Sequence, residues 1–290
     1  MRRPLAFASL LAAAACSPAF AQMIDTAPTA KERFQGYTNN ILLTGYWPPT
    51  NEMLRPWSPN PAQNPGGWQG GDWEGRGYDI FSYFPEYPNG FGQGEGDFEV
   101  DYQDTSADWQ RIVNEIKPVA IITFSRANTS VGWELEGGNR MYSSSQWTSD
   151  YTAPTKPGAH LPIMRALAPG TELFSSLPMD DIIADVAASG INVDPFKTVI
   201  DTGRYLSNYI GLHGNWYHEQ NNDELAEFRN FAAGHIHVGL NTTIADGTAA
   251  TAVTLRTLIN HLNNIIPTPA PSTLPVLALG GLVATRRRRC

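Results

Sequence analysis

Three places in this 290-residue chain bring together residue types that acyl-transfer chemistry uses. The first is Asp201-Thr202-Gly203-Arg204-Tyr205-Leu206-Ser207-Asn208. Tyr205, Tyr209, Leu212, His213 and Trp216 recur with helical spacing, which puts Ser207 in the first turns of a predicted helix. A hydroxyl there lies near backbone N–H groups that can hold a developing oxyanion, and Gly203 permits a tight strand-to-helix turn. A serine at such a position also serves as an ordinary cap. The second place is Gly234-His235-Ile236-His237-Val238, an apolar strand pattern in which residues i and i+2 share a face. Either histidine is a candidate base, or both are candidate metal ligands with His213, His218 and Glu219 to complete the set. Those spacings match no zinc pattern, and no nucleotide-binding glycine loop or calcium loop occurs, so neither a metal nor a cofactor is expected. The third place is the polar, glycine-containing stretch 126–139, which carries Glu134 and Glu136. A carboxylate beyond a strand's C-terminal edge is placed to orient an imidazole. Two plain surface acids would look the same.

The elements that must position these residues follow from periodicity. Residues 41–44 form an apolar run ending at Gly45, which reads as a buried first strand. Trp109, Ile112, Val113 and Ile116 make a helical stripe with Thr105 or Ser106 as N-cap and Pro118 as the stop, and 119–124 reads as a second buried strand. The helix-then-strand pattern recurs at Met179, Ile182, Ile183 and Val186, with Gly190 closing the helix and 197–201 the strand. A last helix carries Leu255, Leu258, Ile259, Leu262 and Ile265. Strands alternating with amphipathic helices predict an α/β fold, a three-layer α/β/α sandwich around a largely parallel sheet. Residues 46–98 interrupt the pattern with Gly, Pro and twelve aromatic side chains and show no sustained period. So long a stretch is either functional or poorly ordered, and its aromatic content argues for order.

The two ends read as export signals. Arg2 and Arg3, an apolar run over 5–15 and the triplet Ala19-Phe20-Ala21 have the layout of a signal peptide, so 1–21 is expected to be removed by signal peptidase. At the other end Pro267, Pro269 and Pro271 precede an apolar run over 274–284 and the arginines 286–289. The expected domain is 22–266, and the expected location is the cell surface or the extracellular space. Cys16 and Cys290 are the only cysteines and both lie in these end segments, which leaves 22–266 without a thiol nucleophile or a disulfide. Removing six arginines with the ends takes the net charge from −8 to −14, which argues against a nucleic-acid partner.

Residues 267–290 resemble the PEP-CTERM type of sorting signal, with Pro-Ala-Pro where that motif has Pro-Glu-Pro; the resemblance implies a sorting enzyme as a processing partner. From residue 41 to about 240 the chain resembles the pyroglutamyl peptidases, a family of cysteine peptidases. Ile41-Leu42-Leu43-Thr44-Gly45-Tyr46-Trp47-Pro48 is similar to its opening strand and T-G-F-x-P loop. Ser176-Leu177-Pro178 is similar to its T-L-P, the stretch from Thr202 to Asn208 to its A-G-T-Y-L-C-N, and the stretch from Gly234 to Val238 to its G-F-I-H-V. The Glu134 to Asn139 spacing fits its E-R-x-x-x-N. The resemblance implies Ser207 in the nucleophile's place, His237 as base, Glu134 as the orienting acid, and Tyr46, Trp47 and Asn208 at the substrate. It departs at Ser207, at Leu135 where the family has arginine, and at Pro49 where it has a second phenylalanine.

Two functions are therefore expected in order of preference: an exported hydrolase of a blocked peptide or small amide, and a non-catalytic surface binding protein using the aromatic stretch. A serine must lose its proton to a base during attack, whereas a cysteine attacks as a pre-formed thiolate, so Ser207 weakens the first reading. The oligomeric state is left open.

Overall fold

The apolar run at 41–44 is the middle of strand β1 (Asn40–Tyr46) in the computed structural model, which describes residues 36–201 and 203–266. The end segments read as export signals, and Thr202, lie outside the described residues. β1 is flanked by β2 (Asp79–Tyr83) and β5 (Ala120–Ala127), both parallel to it. Beyond β5 lies β10 (Ala232–Gly239), again parallel, then β6 (Gly132–Glu136) and β9 (Asp194–Thr198). The sheet order is β2-β1-β5-β10-β6-β9. β6 runs antiparallel to β10 and parallel to β9, so the last two strands are reversed and the sheet is mixed. Two short hairpin pairs, β3 (Pro85–Glu86) with β4 (Glu95–Gly96) and β7 (Gly138–Arg140) with β8 (Glu172–Phe174), stand outside it.

Helices cover both faces. On one face α1 (Tyr102–Ile116) and α4 (Leu206–Asn221) pack with Leu42, Ile121 and Ala233. On the other, α3 (Met179–Ala188) and α5 (Ile244–Ile265) pack with Leu43, Ile122 and Ile236. The alternation Leu42/Leu43 and Ile121/Ile122 feeds the two cores in turn, as a strand covered on both sides requires. The three-layer α/β/α sandwich follows. α2 (Pro162–Ala166) is a single short turn. Among the described residues no helix is long and apolar enough to cross a membrane.

Local details differ from expectation in instructive ways. α1 begins four or five residues early because Asp101, not Thr105 or Ser106, accepts from the backbone N–H groups of Gln103 (2.7 Å) and Asp104 (3.0 Å). Thr105 and Ser106 are instead buried in its first turn. Its stripe buries Trp109 to 1% exposure, so truncation there would cost about 3–5 kcal/mol. The stretch holding Glu134 and Glu136 is a sheet strand, β6, not a polar loop.

Residues 46–98 are ordered by contacts of their own. Arg55 bonds both Glu52 (2.6 Å) and Glu86 (2.6 Å), the Gln63 amide donates to the Phe84 carbonyl, and Ser82 donates to the Leu54 carbonyl. Trp57, Trp73 and Tyr78 join the core beside α5. The segment thus supplies an edge strand, β2, as well as a loop.

Candidate active site

β10 carries His235 and His237 toward the α4 side, level with Thr123 and Ser125 on β5. β6 is the other neighbour, and its alternation sends Trp133 and Leu135 into the opposite core and leaves Glu134 and Glu136 on the His237 face. In register Glu134 stands directly across from His237, but the hydrogen bond is diagonal: His237 Nδ1 lies 2.7 Å from a carboxylate oxygen of Glu136. The other Glu136 oxygen accepts from the Asn139 amide (2.8 Å), whose own oxygen accepts from Asn215 on α4 (2.9 Å). A continuous chain from Asn215 to His237 therefore fixes the imidazole. Burial alone would discharge His237, yet its bond to Glu136 and the charges of Glu136, Asp201 and Glu134 outweigh that and raise its pKa above the usual value.

Helix α4 closes the site from below. It is buried along most of its length, and Gly211 is what lets it approach: a Cβ there would sit 2.7 Å from the Asn139 amide. Its N-cap, Tyr205, contributes no side-chain bond to the N–H groups of the first turn. Ser207 is 8% exposed in that turn. Ser207, His237, Glu134, Glu136, Asp201 and Trp47 line one cleft of about 460 Å³. No hydrogen bond joins Ser207 to His237 among the described residues.

The expected site residues fall into two groups. Ser207, His237, Glu134 and Trp47 meet in the cleft. Glu134 does not hold the imidazole, because on a reversed strand the carboxylate two residues further along reaches Nδ1 instead. Tyr46 and Asn208 do not reach the cleft. Tyr46 is fully buried against Thr105, and the Asn208 amide is used on the backbone of Arg140 (2.9 Å) and Gly203 (2.7 Å), fastening α4 to β7. Asp201 was not singled out by its sequence. It accepts from the Gly203 N–H (2.5 Å), and burial together with the neighbouring Glu136 charge pushes its pKa up to about 6. The metal set weighed earlier does not assemble: His213 is enclosed by Trp109, Tyr209 and Trp216, and His218 bonds Asn230. Among the described residues only Glu136, His235 and His237 approach one another as a possible ion site, with ligand atoms within 4.8 Å. His235 already engages Thr123 (2.7 Å) and Ser125 (2.9 Å) through its two ring nitrogens, so a third ligand bond would break one of these.

Trp47 is held in an uncommon conformation, with φ of 59°. Its backbone N–H donates to the Tyr87 hydroxyl (3.0 Å) and its indole N–H to the Gly92 carbonyl (3.0 Å). These bonds from the 46–98 segment compensate the strain and set one wall of the cleft.

No family model and no curated protein matches the chain. Solved structures do. Pyrrolidone carboxyl peptidase of the hyperthermophile Pyrococcus furiosus superposes with a TM-score of 0.53 at 17% identity, covering 77% of this chain and 99% of that one. Bacillus amyloliquefaciens pyroglutamyl peptidase I gives 0.52 at 13%, covering 77% and 97%. The cleft is thus built on the fold of the pyrrolidone carboxyl peptidases.

Proposed function

We propose that this chain is an exported hydrolase of peptide or small amide bonds in which Ser207 is the nucleophile, His237 the base and Glu136 the residue that orients it. The observation that carries the reading is the 2.7 Å bond from His237 to Glu136 inside the cleft that Ser207 lines. Ser207 Oγ bonds the acyl carbon while its proton passes to His237 Nε2. The C–N bond then breaks as that proton reaches the leaving amine. Water, deprotonated by the same imidazole, releases the acid and restores Ser207. The first-turn N–H groups of α4 are the oxyanion donors. The names of the solved relatives favour a blocked N-terminal residue as substrate, and the patterned ends favour export by signal peptidase and a sorting enzyme.

The binding-protein reading keeps one supporting observation. Phe91, Tyr151 and Tyr205 are 56–60% exposed, Tyr205 lines the cleft and Tyr151 packs edge-on against Trp47. Hydrolysis of a fluorogenic pyroglutamyl amide by residues 22–266, beside Ser207→Ala and Ser207→Cys, separates the two. Activity in the parent that Ser207→Ala abolishes supports the serine hydrolase. Activity only in Ser207→Cys indicates an intact pocket with a weak nucleophile, and silence in all three favours binding without turnover or another substrate.

A further inference from the structure

Arg126, the last residue but one of β5, lines the cleft. It is the only arginine or lysine lining the cleft, and among the described residues it pairs with no carboxylate. Its guanidinium lies 4.1 Å from the centre of the Phe91 ring. Stacking on a ring fixes the plane of a guanidinium and leaves its N–H edge free for a planar partner.

The sheet order separates this group from the negative wall. Arg126 pairs in register with Val238, while Glu134 pairs with His237 from the other side of β10. Two strand spacings, about 10 Å, lie between the β5 and β6 backbones. Glu134, Glu136 and Asp201 line the cleft from the β6 side and Arg126 and Asn128 from the end of β5, with β10 and its His237 on the strand between. A substrate whose scissile carbonyl sits at Ser207 and His237 presents part of itself to Arg126. A buried or half-buried guanidinium without an acid in its own protein is satisfied best by an acid from outside.

We infer that Arg126 receives a carboxylate of the substrate, so that the preferred ligand is an acidic amide or peptide and not a neutral one. The inference rests on the hydrolase reading for the position of the scissile bond, but it concerns binding and can be tested without turnover. The probes are N-acetyl-glutamate amide and N-acetyl-glutamine amide, which differ by a carboxylate against a carboxamide of the same shape. Their binding to Ser207→Ala is measured by calorimetry at low and high salt, with and without Arg126→Gln and Arg126→Lys.

The expected result is that the glutamate compound binds about tenfold or more tightly than the glutamine compound, as one charge-assisted pair implies. That preference should vanish in Arg126→Gln, persist in part in Arg126→Lys, and shrink as salt rises. Equal affinities, a preference unchanged by Arg126→Gln, or no binding of either compound would overturn it. Hydrolysis of an acidic amide and its neutral counterpart at equal rates, both indifferent to Arg126→Gln, would keep the hydrolase and reject the carboxylate. A parent without turnover whose Ser207→Ala form shows the preference would do the reverse.

Discussion

The two walls of the cleft are built by opposite means. The wall made by β10, β6 and α4 is held by buried polar side chains bonded to one another, from Asn215 through Asn139 and Glu136 to His237. The wall made by Trp47 and Arg126 is an indole and a guanidinium, the first set by the bonds Trp47 donates to Tyr87 and Gly92 and the second by the largely exposed Phe91 ring. The difference matters because reaction geometry tolerates little displacement, whereas recognition tolerates much. Substitutions in the first wall should change rate and stability, and substitutions in the second should change affinity.

The largest effect is expected at Glu136. Glu136→Gln removes the carboxylate that raises His237, so kcat should fall about 10²–10⁴-fold. The limb of the pH profile that requires neutral imidazole should move to lower pH. Glu134→Gln removes only a distant charge from His237 and should change kcat by less than about tenfold. A reversed order in the rate profiles of the two variants would return the orienting role to Glu134.

Next comes His213, on the same helix as Ser207. Burial lowers its pKa to about 3, and its Nδ1 has no partner. The unfolded chain takes up this proton near pH 6.5 and the folded chain only near 3, so stability is held above 6.5 and lost as pH falls through that window. Urea unfolding should show His213→Phe sparing roughly 3 kcal/mol of the loss between pH 7 and pH 4. An unchanged loss would mean that this wall is less rigid than its burial implies.

Gly211→Ala is the third test. The added Cβ meets Asn139 at 2.7 Å and must displace the amide that holds Glu136. About 1–3 kcal/mol of stability should go, with kcat falling further than the stability loss accounts for. The smallest effect on stability is expected at Phe91, which is 60% exposed. Phe91→Ala should leave unfolding within about 0.5 kcal/mol of the parent while raising KM. A stability loss as large as that of Gly211→Ala would erase the distinction between the walls.

The strands β1, β5 and β10 and the four longer helices were legible because each carries an uninterrupted period of two or 3.6, or an apolar run closed by a clear stop. The placement of Ser207 in a helix's first turn and of His237 on a strand was legible for the same reason, since both are local patterns. β6 was not. Its segment, Gly132 to Glu136, alternates, but it is short and polar on one face because that face lines a cleft instead of a core. Choosing Glu136 over Glu134 required the strand's direction, which no local pattern encodes, and both residues share a face. Asp201 and the Asn139–Asn215 bond depend on contacts between elements 60 or more residues apart. Asn208 and Tyr46, which the resemblance places at the substrate, are not among the cleft's lining residues, because a motif match does not decide which way a side chain turns.

The anchoring of the 46–98 segment to itself, through Arg55, Glu52, Glu86 and Gln63, has a bearing on ancestry. A segment that meets the cleft through Trp47 and, by way of Phe91, Arg126 can change at those positions while the Asn215 to His237 chain stays as it is. On such a body plan, what the cleft admits can change without disturbing what holds the imidazole.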